Sequence, residues 1–271
     1  MIKLLVRGIT GAAFVGLIIG SLWFHPLAAA IVFGVFMLIG VQEFHTLFSK
    51  DERVELNAFN GMTMASLVYA VFILYLYDLV PFEMLAMVLP IVFTLFIIEI
   101  WKKKKDPIVN AALSAFTFMY LVIPFSILAY LSVHFMNGIT IVIGLFILVW
   151  TNDTFAYLSG RTFGRTKLFP RISPNKTWEG TIGGLIFALL VGASIGYYVG
   201  RIDYWLITAA IVAPCAVLGD LLESMMKRHF DVKDSGTLLP GHGGVLDRFD
   251  ATLFAAPFFL AWDSIYLAYM N

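Results

Sequence analysis

Nine stretches of apolar residues, near 4–24, 27–48, 61–78, 83–100, 112–133, 138–152, 180–199, 204–219 and 251–270, divide the 271-residue chain. Each approaches the ~20 residues with which an α-helix crosses ~30 Å of hydrocarbon. The chain is 60% hydrophobic and 13% charged, against about one quarter charged in an ordinary soluble domain. The expected fold class is therefore an all-α polytopic membrane protein with about nine transmembrane helices. The opening run has the basic start and small-residue end of a secretory signal. A retained first helix is the better expectation, because a second apolar run follows at once and the charge pattern needs the first span. One cysteine, Cys215, lies inside an apolar run, which leaves no intramolecular disulfide and no thiol metal cluster.

Net charge is zero, yet the basic residues are segregated. When loops alternate between the two sides of nine spans, Lys3, Arg7, Lys50, Arg53, Lys102 to Lys105 and every later Lys or Arg except Arg201 fall on one side. Lys and Arg are retained in the cytoplasm, so the expected N-terminus is cytoplasmic and the C-terminus outside. The cationic WKKKKD at 101–106 is read as a topological anchor, with attraction of anionic headgroups as the sharper alternative.

Polar residues are concentrated in the second half. Residues 1–108 read as a scaffold of transmembrane helices, with Glu43 and Glu99 as its main intramembrane acids. Residues 109–271 carry two long polar connections, about 153–179 and 220–250, and the whole is treated as one membrane domain.

In the later connection, a continuing eighth helix places Asp220, Ser224 and Lys227 on one face at i, i+4 and i+7. PGHGG at 240–244 then breaks the helix, and its glycines permit close approach of backbone N–H groups. Asp247 and Asp250 fall in the first turn of the ninth helix, where the helix dipole partly offsets their repulsion. Capping and a salt bridge to Arg248 or Lys227 would explain one of them. Three carboxylates at ends of spans are better explained by a divalent cation at Asp220, Asp247 and Asp250. Oxygen ligands without a Cys cluster suit Mg²⁺, with a second cation as a further expectation.

The earlier connection, TNDTFAYLSGRTFGRTKLFPRISPNKTWEGTIGG, carries Arg161, Arg165, Lys167, Arg171 and Lys176, which suit either a phosphate chain or a positive-inside loop. Asn152 and Asp153, ending an apolar helix, favour a site. There is no GxxxxGK[ST], GxGxxG, HExxH or GxSxG pattern, so phosphates would be handled by side chains and metal.

These residues resemble the phosphatidate cytidylyltransferase, or CDP-diacylglycerol synthase, family. The C-terminal signature of that family is matched by Ser224, Lys227, Arg228, Lys233, Asp234, Pro240, His242, Gly243, Gly244, Asp247, Arg248 and Asp250. A second block is similar through Asn152, Asp153, Tyr157, Gly160, Arg161, Gly164, Ser173, Pro174, Lys176, Thr177, Glu179 and Gly180. The likeness lies in motifs over about 150–250 and is only general before that.

The resemblance implies a Mg²⁺-dependent reaction of CTP with phosphatidic acid, giving CDP-diacylglycerol and pyrophosphate, at the cytoplasmic face of the cell membrane. Asp220 and Asp247 would hold the metal, with Asp250 or Asp153 as a further ligand. Lys227, Arg228, Lys233 and Arg248 would serve the triphosphate and the lipid phosphate, and His242 would donate a hydrogen bond or position a group. Ser224, Asp234, Gly243, Gly244, Tyr157, Arg161, Lys167, Ser173, Lys176, Thr177 and Glu179 complete the expected substrate contacts. The expected partners are CTP, inner-leaflet phosphatidic acid and membrane lipid, with no nucleic acid and with a second copy, as a homodimer, as a further expectation. A CTP-dependent polyprenol-type kinase and an ion or solute transporter are the alternatives. The kinase would release CDP rather than pyrophosphate, and transport would favour midplane acids and internal repeats.

Overall fold

A computed structural model describes residues 2–102, 105–136, 139–237 and 243–270, with side chains described outside 2–7, 135–140 and 270. The described chain is predominantly helical, and the described residues of the nine apolar stretches lie mostly in helix. Among the described residues, eight helices are long and apolar enough to cross a membrane, and Gly8–Phe24 is a shorter apolar helix. The chain divides into two compact units, which interleave in sequence. One comprises Met1–Ser132 and Phe230–Arg248, the other Val133–His229 and Phe249–Asn271.

The first unit holds α1 (Ile2–Phe24), α2 (Pro26–Phe48), α3 (Ala58–Leu76), a 3₁₀ turn (Phe82–Met87) leading into α4 (Val88–Trp101), α5 (Pro107–Thr117) and α6 (Ile123–Ser132). A π-helical turn, Phe118–Val122, joins α5 to α6, so the two form one span. Local chemistry sets the helix starts. Proline occupies the first turn of α2 and α5, where an N–H has no helical partner. The side chains of His25, Asn57 and Asp106 accept N–H bonds at the starts of α2, α3 and α5. Phe33, Met37, Phe44, Leu121, Phe125 and Leu128 form the core, almost wholly enclosed. The Tyr69 hydroxyl donates to the Ala30 carbonyl at 2.6 Å, removing a polar group that hydrocarbon would leave unsatisfied.

The second unit holds a short antiparallel pair, β1 (Phe135–Met136) and β2 (Ile139–Thr140), followed by α7 (Ile141–Phe163). A hairpin of β3 (Lys167–Phe169) and β4 (Ser173–Thr177) leads to α8 (Trp178–Val199) and α9 (Ile202–His229). α10 (Leu246–Met270) contributes its length from Phe249 onward. These short strands are the departure from an all-helical expectation. One face of α8 is lined by Gly180, Gly184, Ala188, Gly192 and Gly196, all buried. A Cβ on Gly184 would lie 2.7 Å from the Asn152 carbonyl, and one on Gly192 would lie 2.6 Å from the Trp205 carbonyl. Lipid gives helices no hydrophobic reason to associate, so such close backbone approach is what allows dispersion contacts to hold them together. Trp205, Tyr204 and Phe259 fill the remaining space.

Candidate active site

The polar part of the second unit is built on helices that outrun their apolar stretches. α7 continues past residue 152 to Phe163, so Asn152, Asp153, Tyr157 and Arg161 stand on helix rather than loop. α9 continues to His229, which realises the expected stripe of Asp220, Ser224 and Lys227. Gly219 brings α9 against α10: a Cβ there would meet the Asp250 carbonyl at 2.5 Å. Asp220 and Asp250 are neighbours for that reason.

Asp220 is held from two sides. Lys176 Nζ, on β4, lies 2.6 Å from its Oδ2, and the Ser224 hydroxyl donates to its Oδ1 at 3.1 Å. Asp153, Asp220 and Asp250 are close enough for their charges to oppose one another, and Lys176 and Lys227 supply opposing positive charge. The Lys227 ammonium also pairs with Glu223 one turn before it, and both residues are buried. An ion pair in these surroundings needs both members, since removing either leaves an uncompensated charge. Asn152 Nδ2 is 3.4 Å from Asp153 Oδ1, while its own Oδ1 is buried without a hydrogen-bond partner.

The hairpin of the earlier connection is fastened from α8. The Glu179 carboxylate accepts the Arg165 N–H at 3.1 Å and the Thr166 N–H at 3.1 Å, and Thr177 Oγ1 caps α8 by accepting the Gly180 N–H. The Trp178 N–H donates to the Thr166 carbonyl at 3.0 Å. Thr177 and Glu179, expected as substrate contacts, have these local tasks. Arg161, Lys167 and Arg171 are exposed, Ser173 is half-buried, and Arg161 Nη1 is 3.3 Å from the Tyr157 hydroxyl.

Of the expected metal ligands, Asp220 and Asp250 fall in the second unit with Asp153, and Asp247 falls in the first. There, Asp247 Oδ2 accepts the Ser235 N–H at 2.8 Å, the Ser235 hydroxyl at 2.9 Å and the Gly244 N–H at 2.8 Å. Gly243 has φ +82 and lies against the same carboxylate, in a backbone conformation that glycine tolerates. Lys233, Asp234 and Arg248 are exposed in this unit, and Arg228 is exposed at the end of α9. His242 lies outside the described residues. Among those described, no three His, Cys, Asp or Glu side chains form a preformed metal cage. Two buried acids, Glu223 and Glu43, lie outside the expected site residues. Glu223 carries no spacing signal of its own, whereas Glu43, in the first unit, stood out as a charge inside an apolar helix.

The sequence profile of the Cytidylyltransferase family matches residues 5–266. Over 152 residues the chain is 45% identical to a phosphatidate cytidylyltransferase of Staphylococcus haemolyticus, covering 52% of this chain and 58% of that protein. A Staphylococcus aureus protein of the same name is 44% identical over the same length. A Bacillus subtilis protein of that name is 46% identical over 125 residues, covering 45% of this chain and 46% of its own. The chain thus spans about half the length of the curated relatives it matches.

Proposed function

This chain belongs to the cytidylyltransferase family, and from that premise we propose that it transfers CMP from CTP to phosphatidic acid, giving CDP-diacylglycerol and pyrophosphate. The observation that carries the proposal is the gathering, within one unit, of Asp153, Asp220 and Asp250 beside Lys176 and Lys227. In the proposed step, a phosphate oxygen of phosphatidate bonds to the α-phosphorus of CTP. The bond from that phosphorus to the α–β bridging oxygen breaks, and the electron pair leaves on pyrophosphate. A phosphate monoester is mostly dianionic near neutral pH, so no protein base is needed to activate it. The obstacle is the approach of two anions.

Lysines and arginines reduce that obstacle. Lys176, oriented by Asp220, and Lys227 would offset charge at the reacting phosphates, while the exposed Arg161 and Lys167 would hold the triphosphate. Asp220 and Asp250, with Asp153 beside them, fit Mg²⁺ by donor chemistry. All are hard oxygen donors, and Mg²⁺ commonly takes one or two protein carboxylates with waters and substrate phosphates. That no three-ligand cage stands among the described residues is compatible with that habit. When bound, Mg²⁺ would neutralise phosphate oxygens and the departing pyrophosphate. The charge segregation supports a site at the cytoplasmic face, with CTP arriving from water and phosphatidate from the inner leaflet.

The test is pyrophosphate release by purified protein in detergent with CTP, phosphatidic acid and Mg²⁺, each omitted in turn, and with the lipid product weighed by mass spectrometry. Release that requires all three, with CDP-diacylglycerol formed, is the expected outcome. Formation of CDP without pyrophosphate would replace the proposal with a lipid kinase.

A further inference from the structure

The segment between α7 and α8 carries aromatic side chains that the proposed reaction does not use. Phe163 ends α7, Phe169 ends β3 and Trp178 begins α8. They are 67%, 47% and 52% exposed, although all three lie outside the apolar stretches 138–152 and 180–199. Two arginines stand among them: Arg165 follows Phe163 by two residues, Arg171 follows Phe169 by two, and both are exposed. From Arg161 to Trp178 the chain has five cations and no Asp or Glu. The next acid, Glu179, is engaged by the Arg165 and Thr166 N–H groups, and Lys176 is engaged by Asp220.

The hairpin holds these groups on a fixed frame. At its tip the Ile172 N–H donates to the Phe169 carbonyl at 3.1 Å, closing a turn with Pro170 and Arg171 at the two central positions. At its base the Trp178 N–H donates to the Thr166 carbonyl, which ties the start of α8 to the start of the hairpin. A two-stranded hairpin leaves strand-edge N–H and C=O groups open, and hydrocarbon does not tolerate them. Exposed rings interleaved with cations are better accommodated at the headgroup level, where the rings meet the acyl boundary and guanidinium groups pair with phosphate.

We infer that the hairpin between α7 and α8 is a docking surface for anionic phospholipid headgroups, with Phe163, Phe169 and Trp178 in the interface and Arg165 and Arg171 on the phosphates. The sign of the segment selects an anionic lipid, and the cytoplasmic leaflet, where the charge segregation puts the hairpin, is the one that carries such lipid. This binding goes beyond the proposed reaction and uses none of its steps, since the lipid held here is the surrounding bilayer and not the substrate.

A fluorophore on Asn175→Cys in a Cys215→Ser background tests the inference in nanodiscs of phosphatidylcholine with increasing phosphatidylglycerol. Contact is read as quenching by lipid spin-labelled at the headgroup. Asn175 is exposed on β4, so the label leaves all three aromatics and both arginines in place. Phosphatidylglycerol is anionic without being the proposed substrate, and the quenching is measured without CTP, so the outcome does not depend on the cytidylyl-transfer reading. Quenching is expected to rise with phosphatidylglycerol. One basic residue at an anionic surface corresponds to about fivefold in binding. Arg165→Gln with Arg171→Gln is therefore expected to raise the fraction of phosphatidylglycerol needed for half-maximal quenching at least several-fold, with the melting temperature unchanged. The substitutions spare the hairpin, because Glu179 holds Arg165 by its backbone N–H. Phe169→Ser is expected to lower quenching at every composition. A probe that stays unquenched in phosphatidylglycerol, or quenching that is equal in both lipids and unchanged by the arginine substitutions, would overturn the inference. So would weaker binding of CTP by the doubly substituted protein with quenching intact, because the two arginines would then belong to the nucleotide.

Discussion

Asp220 is the residue on which the proposed chemistry depends most directly, because a cation, a hydroxyl and two other carboxylates all act on it. Replacing it with Asn keeps an acceptor for Ser224 and nearly the same volume. The ammonium of Lys176 is then left without its carboxylate, but its side chain is 23% exposed and water can serve it. Folding should survive. Activity should fall by at least a hundredfold, roughly 3 kcal/mol of barrier, because both the orientation of Lys176 and a proposed ligand to Mg²⁺ are lost. Steady-state pyrophosphate release alongside a melting curve separates the two effects, and near-normal turnover of Asp220→Asn at saturating Mg²⁺ would remove Asp220 from the site. Glu223 and Lys227 behave differently: as a buried pair, they are expected to register in stability when either is removed.

At the scale of elements, the hairpin between α7 and α8 depends on side chains that lie outside it. Glu179 reaches back 13 and 14 residues to the Thr166 and Arg165 N–H groups, and these bonds hold the strand that carries Lys167. Glu179→Ala is expected to release the hairpin and raise the apparent KM for CTP several-fold while leaving α8 helical, since Thr177 still caps it. A KM equal to that of the wild type would show that the hairpin does not serve CTP. The same elements show what sequence reveals. The stripe on α9 was legible because Asp220, Ser224 and Lys227 repeat at helical spacing. The extension of α7 was not, because polar residues follow its apolar run. Its continuation depends on the close glycine face of α8, which includes the contact of Gly184 with the Asn152 backbone. The hairpin has no alternating pattern, and the Val245 N–H that donates to Glu43 lies 202 residues away. The sequence reading already grouped Asp250 with Asp220, whereas the attachment of Asp247 to Ser235 needed three-dimensional packing.

For the whole molecule, the decisive property is the sidedness of charge. The chain passes between its two units at 132/133, 229/230 and 248/249, so neither half of the sequence is a self-contained module. What the loops share is sign: of 18 Lys and Arg, Arg201 alone falls on the opposite side when nine spans are counted. If that segregation sets orientation, residue 201 faces out and the hairpin faces the cytoplasm, where CTP is present. Cysteines at these two places can test it in a Cys215→Ser background, since Cys215 is the single native thiol and is buried. Arg201 and Arg171 are both exposed, so a thiol at either place is open to reagent. A membrane-impermeant maleimide should label Arg201→Cys in intact cells and Arg171→Cys only after permeabilisation. The reverse pattern would put Lys167, Lys176 and Asp220 on the face without CTP, and no arrangement of residues within the site could then sustain the proposed reaction.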